Sequence, residues 1–279
     1  MTELFIRFHN RPIQQLCIEI LVVSTRFCTF ATMMHLEEQK EWFSTWFNSP
    51  YYHVLYDERN DEEANEFLNN LVSALEPERG DSVLDLACGA GRHSRALSSH
   101  GLNVSGCDLS PNSIEEAKKH SGPELTFFVH DMREPLKNHY QYIFNLFTSF
   151  GYFDDTRQNA LVLKSVHDAL ADPAILVIDF MNTHKVIRDL RFRQEIRKQE
   201  ILFHITKELV NGRIVKTITF KDQGTSWFFQ EKVQALYLSD FEKLLTEADL
   251  EIVRLAGNYQ LDSFDSETSD RLILICKKK

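Results

Sequence analysis

The chain has 279 residues, of which 43% are hydrophobic and 26% are charged, and its formal net charge is -10. This composition excludes a disordered or collagen-like chain, and the length suffices for one large domain with a full-sized core. The acidic balance argues against a protein that coats nucleic acid through bulk charge. The five cysteines lie far apart without metal-ligand spacing, so we expect reduced thiols, no metal site and a cytoplasmic location.

Residues 1–33 differ in pattern from the rest of the chain. Charged residues interrupt their apolar part, which is therefore too short for a membrane span and unlike a secretory signal. We expect a disordered or weakly helical extension, or a segment that is not native if translation starts at Met33 or Met34. Residues 35–47 then have the periodicity of an amphipathic helix, so the folded domain is predicted to span residues 34–279.

From there the chain alternates between strand and helix patterns. A helix is predicted over residues 62–77. Strands are predicted over residues 82–87, 102–110, 125–132, 142–150 and 174–181. Helical patterns follow the first, second and fourth of these strands, and Ser110 with Pro111 marks the start of the second. Strands that alternate with helices indicate right-handed βαβ units and a parallel sheet that is covered on both faces.

The alternation stops between about residues 199 and 238, where strands follow one another without helices. Two of these strands are joined by Asn211-Gly212, a strong hairpin signal because both turn residues need a positive φ. A helix and two strands complete the pattern, at residues 240–249, 250–257 and 271–278. We therefore predict an α/β fold with a Rossmann-like, seven-stranded, mostly parallel sheet, helices on both faces, and an antiparallel β insert before the penultimate strand.

A glycine turn follows the first strand, within residues 83–94. Its glycines let a ligand approach the main chain at the carboxyl edge of the sheet. A nicotinamide-binding fingerprint would have a third glycine where this chain has Ser94. Asp85 would repel a pyrophosphate but suits a ligand that carries an ammonium group. A nicotinamide-dependent oxidoreductase is therefore kept only as an alternative.

Two neighbouring strands also end in carboxylates. Asp108 ends the second strand, where it can accept hydrogen bonds from a ribose diol. Asp131 and Met132 end the third strand, where a carboxylate can accept a hydrogen bond from an adenine amino group. The set fits an adenosine that is joined to an amino acid rather than to a phosphate.

The segments DLACGAG, GCDLS, HDMRE and NLFTSFGYF resemble the motifs of class I S-adenosylmethionine-dependent methyltransferases, in order and spacing, over roughly residues 50–279. With its insert, the chain is similar to the small-molecule branch, such as the glycine and amino-sugar N-methyltransferases. The resemblance implies in-line methyl transfer from S-adenosyl-L-methionine to a small-molecule acceptor (EC 2.1.1). No membrane or nucleic-acid partner is expected, and the aromatic N/D-P-P motif of RNA amine methyltransferases is absent from the sequence.

The resemblance also implies a set of cofactor contacts. The methionine part would be held by Asp85, Ala87, Gly89 and Gly91, and the ribose by Asp108. The adenine would be contacted by Leu109, Asp131 and Met132, and the sulfonium would lie near the backbone of Phe147. Two aromatic residues near the start of the domain would cap the site, Tyr52 and Tyr56.

The acceptor site is less well defined by the sequence. Polar groups follow the fourth strand, and among them Tyr152 is the candidate substrate contact. Ten basic and four acidic residues lie between Lys185 and Lys221, which predicts either a solvated sheet face or a surface that steers an acidic acceptor. Arg191 is the basic residue that we expect to contact such an acceptor. No general base is identified, and a non-catalytic S-adenosylmethionine-binding module is the second alternative.

Overall fold

The computed structural model describes residues 42–56, 61–190 and 192–279. The predicted extension, residues 1–33, and the alternative translation start lie outside these ranges, as does the first half of the predicted amphipathic helix. No helix in the described ranges is both long enough and apolar enough to cross a membrane.

Strands and helices are numbered here in chain order, within the described residues. The strands are β1 (Ser82–Leu86), β2 (Asn103–Asp108), β3 (Leu125–Val129), β4 (Tyr140–Asn145), β5 (Leu170–Met181), β6 (Arg193–Lys198), β7 (Ile201–Val210), β8 (Arg213–Asp222), β9 (Thr225–Gln234), β10 (Leu250–Ala256) and β11 (Arg271–Lys278). The helices are α1 (Trp42–Trp46), α2 (Pro50–Leu55), α3 (Asp61–Leu75), α4 (Arg92–Ser99), α5 (Pro111–Lys118), α6 (Thr156–Ala169), α7 (Thr183–Arg188) and α8 (Leu238–Glu247).

Seven strands form one sheet in the order β10-β11-β5-β4-β1-β2-β3. Strands β1 to β5 pair in parallel, whereas β11 is antiparallel to both of its neighbours, β5 and β10. Residues Val83 to Leu86 are all buried, as expected for a strand covered on both faces. The predicted fold class is therefore confirmed, and the carboxyl ends of β1, β2, β3 and β4 meet at one edge of the sheet.

The insert is a four-stranded antiparallel sheet in the order β6-β7-β8-β9. The predicted hairpin joins β7 to β8, with φ of 49° at Asn211 and 73° at Gly212. The sheet begins earlier than predicted, at Arg193, because β6 is mostly polar and exposed and so lacks the alternation that identifies a strand. It also ends earlier, at Gln234, and Leu238 already belongs to α8.

Helix α2 lies in a short tyrosine-containing segment between α1 and α3. Ser49 is its N-cap and accepts a hydrogen bond from the Tyr51 N–H at 3.2 Å, and Pro50 occupies the first helical position. Both are ordinary start signals for a helix, so the sequence carried the information. Together with α1, this helix packs its apolar side chains on the insert, where Trp46, Leu55, Phe203, Ile218 and Phe220 form a buried cluster.

The absence of a third glycine in the turn after β1 has a steric explanation. A Cβ atom at Gly106 in β2 would lie 2.8 Å from Ser94 Oγ and 2.6 Å from the Phe127 ring. A Cβ atom at Gly91 would likewise lie 2.6 Å from Phe127. The close approach of α4 to the sheet is therefore allowed by a glycine in the strand, which leaves room for a serine in the helix.

Candidate active site

A cavity of about 490 Å³ lies at the carboxyl edge of the parallel sheet. Cavities of roughly 300–1,000 Å³ are typical of sites for small molecules. One wall, which we call the sheet wall, consists of the turn after β1, the start of α4 and the ends of β2, β3 and β4. The opposite wall, the insert wall, consists of α1, α2, strand β9 and the loop that follows β4.

The glycine turn forms the floor of the sheet wall. Ala87 and Gly89 line the cavity, and both have a positive φ, of 65° and 56°. A Cβ atom built on Gly89 would meet no atom within 4 Å, so the space in front of this backbone is open. A ligand can therefore approach the main chain here, as the sequence predicts for a glycine at this position.

Asp108 lies at the end of β2, beside this turn, and its carboxylate is fixed by the backbone. Oδ2 accepts the Gly89 N–H at 2.9 Å, and Oδ1 accepts the Ser110 N–H at 2.8 Å. Burial raises the pKa of Asp108 above its ordinary value, although these backbone hydrogen bonds act in the opposite direction. Each oxygen keeps a further lone pair, so the group can also accept hydrogen bonds from a diol in the cavity, next to Leu109.

Asp85 and Gly91 lie behind the sheet wall rather than in it. Asp85 is buried, and its Oδ2 accepts the Ser94 hydroxyl at 2.6 Å. Burial raises the pKa of Asp85 to about 6, the hydrogen bond from Ser94 opposes this effect, and the nearby charge of Asp108 adds to it. Gly91 is the N-cap of α4, with φ of 78°. Neither residue lines the cavity, so direct contact with a ligand, predicted for both, stays a prediction.

Asp131 and Met132 line the cavity beyond the end of β3. Arg133 forms a fork on Asp131, with Nε at 2.9 Å from Oδ1 and Nη2 at 2.5 Å from Oδ2. Burial would raise the pKa of Asp131, but the hydrogen bonds and the charge of Arg133 outweigh it and hold the pKa below its ordinary value. The carboxylate is thus ionised and oriented, and its remaining lone pairs can accept a donor in the cavity.

Phe147 lines the cavity in a strained turn after β4. Phe147 and Thr148 have φ of 57° and 62°, which are rare values for residues other than glycine. The buried Asp179 of β5 accepts the Phe147 N–H at 2.8 Å through Oδ2, and its Oδ1 accepts Arg271 Nε at 2.7 Å. Arg271 also donates to Thr148 Oγ1 at 3.0 Å. An ion pair between β5 and β11 therefore holds this turn in place.

The sequence analysis did not identify Asp179 or Arg271. A signal existed, because Asp179 is the one acidic residue in the apolar run Ala174 to Met181. A carboxylate inside such a strand must be paired or hydrogen-bonded to be tolerated, which makes it a candidate for an organising role.

The insert wall is largely aromatic. The rings of Trp42, Phe47, Tyr52 and Tyr152 are in contact, with centroid distances of 5.0 Å for Phe47–Tyr52, 5.3 Å for Trp42–Tyr152 and 5.5 Å for Phe47–Tyr152. All four residues line the cavity. The structure thus brings together Tyr52, predicted to cap the cofactor, and Tyr152, predicted to contact the substrate.

A polar cluster interrupts this aromatic surface. Glu231 of β9 lines the cavity, and its Oε1 accepts the Tyr56 hydroxyl at 2.5 Å and Trp46 Nε1 at 2.8 Å. Lys216 of β8 lies behind them, with Nζ at 3.5 Å from Glu231 Oε2, and it also donates to the Tyr56 hydroxyl. Sequence analysis predicted Tyr56 but missed Glu231, whose partners are 175 and 185 positions away in the chain.

The predicted basic surface is not found at the cavity. Arg191 lies outside the described residues. Arg188 is paired with Asp189 at 2.9 Å and donates to the Glu267 carbonyl at 2.6 Å. No described basic residue between positions 185 and 221 lines the cavity, and the insert contributes Glu231 and Val233 instead. For the described residues, this favours the alternative of a solvated sheet face.

Comparison with known proteins agrees with this geometry. Residues 83–172 match the family described as a methyltransferase domain. A dTDP-3-amino-3,4,6-trideoxy-alpha-D-glucopyranose N,N-dimethyltransferase from Streptomyces venezuelae is 28% identical over 198 residues, which are 67% of this chain and 82% of that protein.

Solved structures with the same fold include two methyltransferases. An S-adenosylmethionine-dependent methyltransferase from Clostridium acetobutylicum superposes with a TM-score of 0.70 and 18% identity, over 82% of this chain and 96% of that one. A sugar N-methyltransferase from Streptoalloteichus superposes with a TM-score of 0.63 and 18% identity, over 82% of this chain and 92% of that one. Residues 83–172 thus match a methyltransferase domain, and the chain has the fold of these enzymes, which confirms the resemblance seen in the sequence.

Proposed function

We propose that this chain is an S-adenosylmethionine-dependent methyltransferase that transfers a methyl group to a small-molecule acceptor. The observation that carries the proposal is the pairing of Asp108 with Gly89 at the sheet wall. A carboxylate held by two backbone amides faces the same cavity as an open stretch of main chain. This arrangement can accept a diol and an adjoining amino-acid chain side by side.

The residues present fit S-adenosylmethionine. We infer that Asp108 holds the ribose hydroxyls, that Leu109, Asp131 and Met132 surround the adenine, and that Ala87 and Gly89 face the methionine part. The positions of these residues along one cavity wall support this assignment. Asp85 would act through Ser94 and the glycine turn rather than by contact. Phe147 would present its backbone near the sulfonium.

When bound, S-adenosylmethionine supplies an activated methyl group on a sulfonium, which an incoming nucleophile displaces in line. The protein must hold the acceptor opposite that methyl group and exclude water, and orientation alone can supply about 7–11 kcal/mol of the barrier. The aromatic insert wall suits both tasks, because Trp42, Phe47, Tyr52 and Tyr152 form a continuous apolar surface over the cavity.

Two relatives support an amine as the acceptor, because the Streptomyces venezuelae protein and the Streptoalloteichus protein are named as N-methyltransferases of sugars. We therefore propose that the acceptor is a small molecule with a nucleophilic nitrogen.

The described cysteines, Cys88, Cys107 and Cys276, are buried free thiols. A cytoplasmic location, predicted from the cysteine pattern of the sequence, stays a prediction.

The test is calorimetry with S-adenosylmethionine, its demethylated product and NADH, followed by a methyl-transfer assay. We expect binding of the first two at micromolar concentrations and none of NADH. Binding of NADH alone would favour the oxidoreductase. Binding of S-adenosylmethionine without transfer to any acceptor would favour the non-catalytic module.

A further inference from the structure

Among the described residues, three acidic side chains line the cavity, and Glu231 lies on a different wall from the other two. Asp108 and Asp131 lie at the sheet wall, where backbone amides or an arginine fork already orient them. Glu231 lies on the insert wall, where an acceptor would be held. Its carboxylate is half-buried, with 17% of the side chain exposed, so it is largely shielded from bulk water.

The hydrogen bonds of Glu231 leave one oxygen available. Oε1 accepts both Trp46 Nε1 and the Tyr56 hydroxyl. Oε2 lies 3.5 Å from Lys216 Nζ, which is longer than an ordinary hydrogen bond, so a donor in the cavity can compete for it. Among the described residues, the titratable groups next to these partners include Tyr52, whose ring is 5.0 Å from that of Tyr56, and Lys207, which pairs with Lys216 in the register of β7 and β8.

We propose that Glu231 is the general base of this enzyme, which accepts the proton of the acceptor amine, and that Trp46, Tyr56 and Lys216 are positioning residues that orient its carboxylate. This inference rests on the proposed function. It assigns a catalytic role that the sequence analysis left open, and it explains why a carboxylate interrupts an otherwise aromatic wall.

The ammonium form of the acceptor transfers one proton to Glu231 and becomes a neutral amine. The nitrogen lone pair then forms the new carbon–nitrogen bond while the carbon–sulfur bond of the methyl donor breaks, and that electron pair stays on sulfur. The methylated ammonium product leaves, and Glu231 returns its proton to solvent. The aromatic rings beside it suit a cationic acceptor, because cations are attracted to ring faces.

The experiment measures methyl transfer from S-adenosylmethionine by the full chain to a panel of primary and secondary amines that includes glucosamine, with glucose as the matched alcohol. Glu231→Gln keeps the shape of the side chain but cannot accept a proton. For an accepted amine we expect kcat at pH 7 to fall about 100-fold, within the range of general-base effects. The Kd of S-adenosylmethionine, measured by calorimetry, should change less than twofold.

The pH profile separates a base from a merely structural residue. The kcat of the wild-type protein should level off below the pKa of the free amine, whereas kcat of Glu231→Gln should keep rising with pH up to that value. Glu231→Asp should recover part of the rate, and it carries the test if the Gln variant does not fold. Glu195→Gln is the matched control, because Glu195 is an exposed carboxylate of the same insert, paired with His204 at 3.1 Å.

An unchanged pH profile in the Gln variant, or an effect on KM alone, overturns the proposal. Transfer to glucose and not to amines also overturns it, while the proposed methyltransferase function stands. Binding of S-adenosylmethionine with transfer to no acceptor of the panel overturns it as well, and favours the non-catalytic module. A wild-type protein that does not bind S-adenosylmethionine would instead contradict the proposed function itself.

Discussion

The two walls of the cavity hold their polar groups in different ways. At the sheet wall, Asp108 and Asp131 accept hydrogen bonds from backbone amides of nearby turns. At the insert wall, Glu231 is held by the side chains of Trp46 and Tyr56, which come from helices far away in the chain. The sheet wall is therefore built into the fold, whereas the insert wall depends on how the insert packs on α1 and α2.

This difference suggests a division of labour. A wall fixed by backbone hydrogen bonds can recognise one invariant ligand, because the turns that carry it leave little room for adjustment. A wall made of side chains on an insert can change with few substitutions, without disturbing the parallel sheet. The expectation is that mutations at the sheet wall affect folding and donor binding, and those at the insert wall affect the acceptor.

The largest effect is expected for Asp179→Ala, which breaks the buried pair behind the sheet wall. Arg271 would lose its buried carboxylate and the Phe147 N–H would lose its acceptor, so the free energy of unfolding should fall by about 3–5 kcal/mol. Denaturant titration measures this. Asp168→Ala is the control, because Asp168 is an exposed carboxylate paired with Lys164, and its loss should cost less than about 1 kcal/mol. If Asp179→Ala and Asp168→Ala lowered the free energy of unfolding equally, the turn at Phe147 would not depend on the ion pair of Asp179 with Arg271.

The next effect concerns the buried carboxyl of Asp85, whose folded-state pKa of about 6 lies above the ordinary value of 3.8. The folded state binds the proton of the Asp85 carboxyl more tightly than the unfolded state does. The contribution of this protonation to the free energy of unfolding is therefore complete below pH 3.8 and is lost as the pH rises through 6. The difference corresponds to about 3 kcal/mol. Asp85→Asn is neutral throughout, so its unfolding free energy should improve relative to the wild-type protein between pH 4 and pH 7. If the difference in unfolding free energy between Asp85→Asn and the wild-type protein did not change with pH, the raised pKa of Asp85 would be contradicted.

Asp108→Ala tests the sheet wall as a ligand site. Losing charge-assisted hydrogen bonds to the ribose should weaken S-adenosylmethionine binding by about 1.5–3 kcal/mol, or roughly 10- to 150-fold in Kd. Calorimetry measures the change, and Asp108→Asn should show a smaller one because the shape is kept. If the two walls are independent, KM for the acceptor should stay within twofold at saturating donor.

The smallest effect is expected for Tyr56→Phe, which removes one hydroxyl from the insert wall. Glu231 and Lys216 each lose one hydrogen bond, so kcat/KM for the acceptor should fall by the equivalent of about 1 kcal/mol, or roughly fivefold. The Kd of S-adenosylmethionine should not change. If Tyr56→Phe instead raised the Kd of S-adenosylmethionine, Tyr56 would be a cofactor contact, as the sequence resemblance implies. The insert wall would then take part in donor binding as well.

Much of the sheet wall could be predicted from the sequence because its signals are local. Gly89 lies in a turn between a strand and a helix, and Asp108 is at a strand end, where parallel topology alone brings it to the same edge. The hairpin at Asn211-Gly212 follows from backbone preference in the same way. Such features need no knowledge of distant contacts.

The sequence resemblance implied Tyr52 and Tyr56, but Glu231 of the insert wall could not be predicted because its geometry is set by long-range packing. Glu231 lies in a strand of alternating side chains, and nothing nearby shows that Tyr56, 175 positions earlier, donates to it. The basic residues between positions 185 and 221 leave two interpretations open for a related reason, since their number does not reveal that Arg188 is engaged by Asp189. The sequence does not show that the Asp85 carboxylate accepts the Ser94 hydroxyl, because in the sequence Ser94 stands out only as the position of a missing glycine.

The bond from Arg271 to Thr148 joins residues that are 123 positions apart. During synthesis on the ribosome, the turn after β4 emerges long before β11, so it must wait for that strand before it can settle. A nascent chain that has reached only α8 has the glycine turn and Asp108, but it lacks Arg271 and therefore the ion pair that holds the turn at Phe147. We therefore expect stalled chains that end before residue 271 to bind S-adenosylmethionine more weakly than chains released in full.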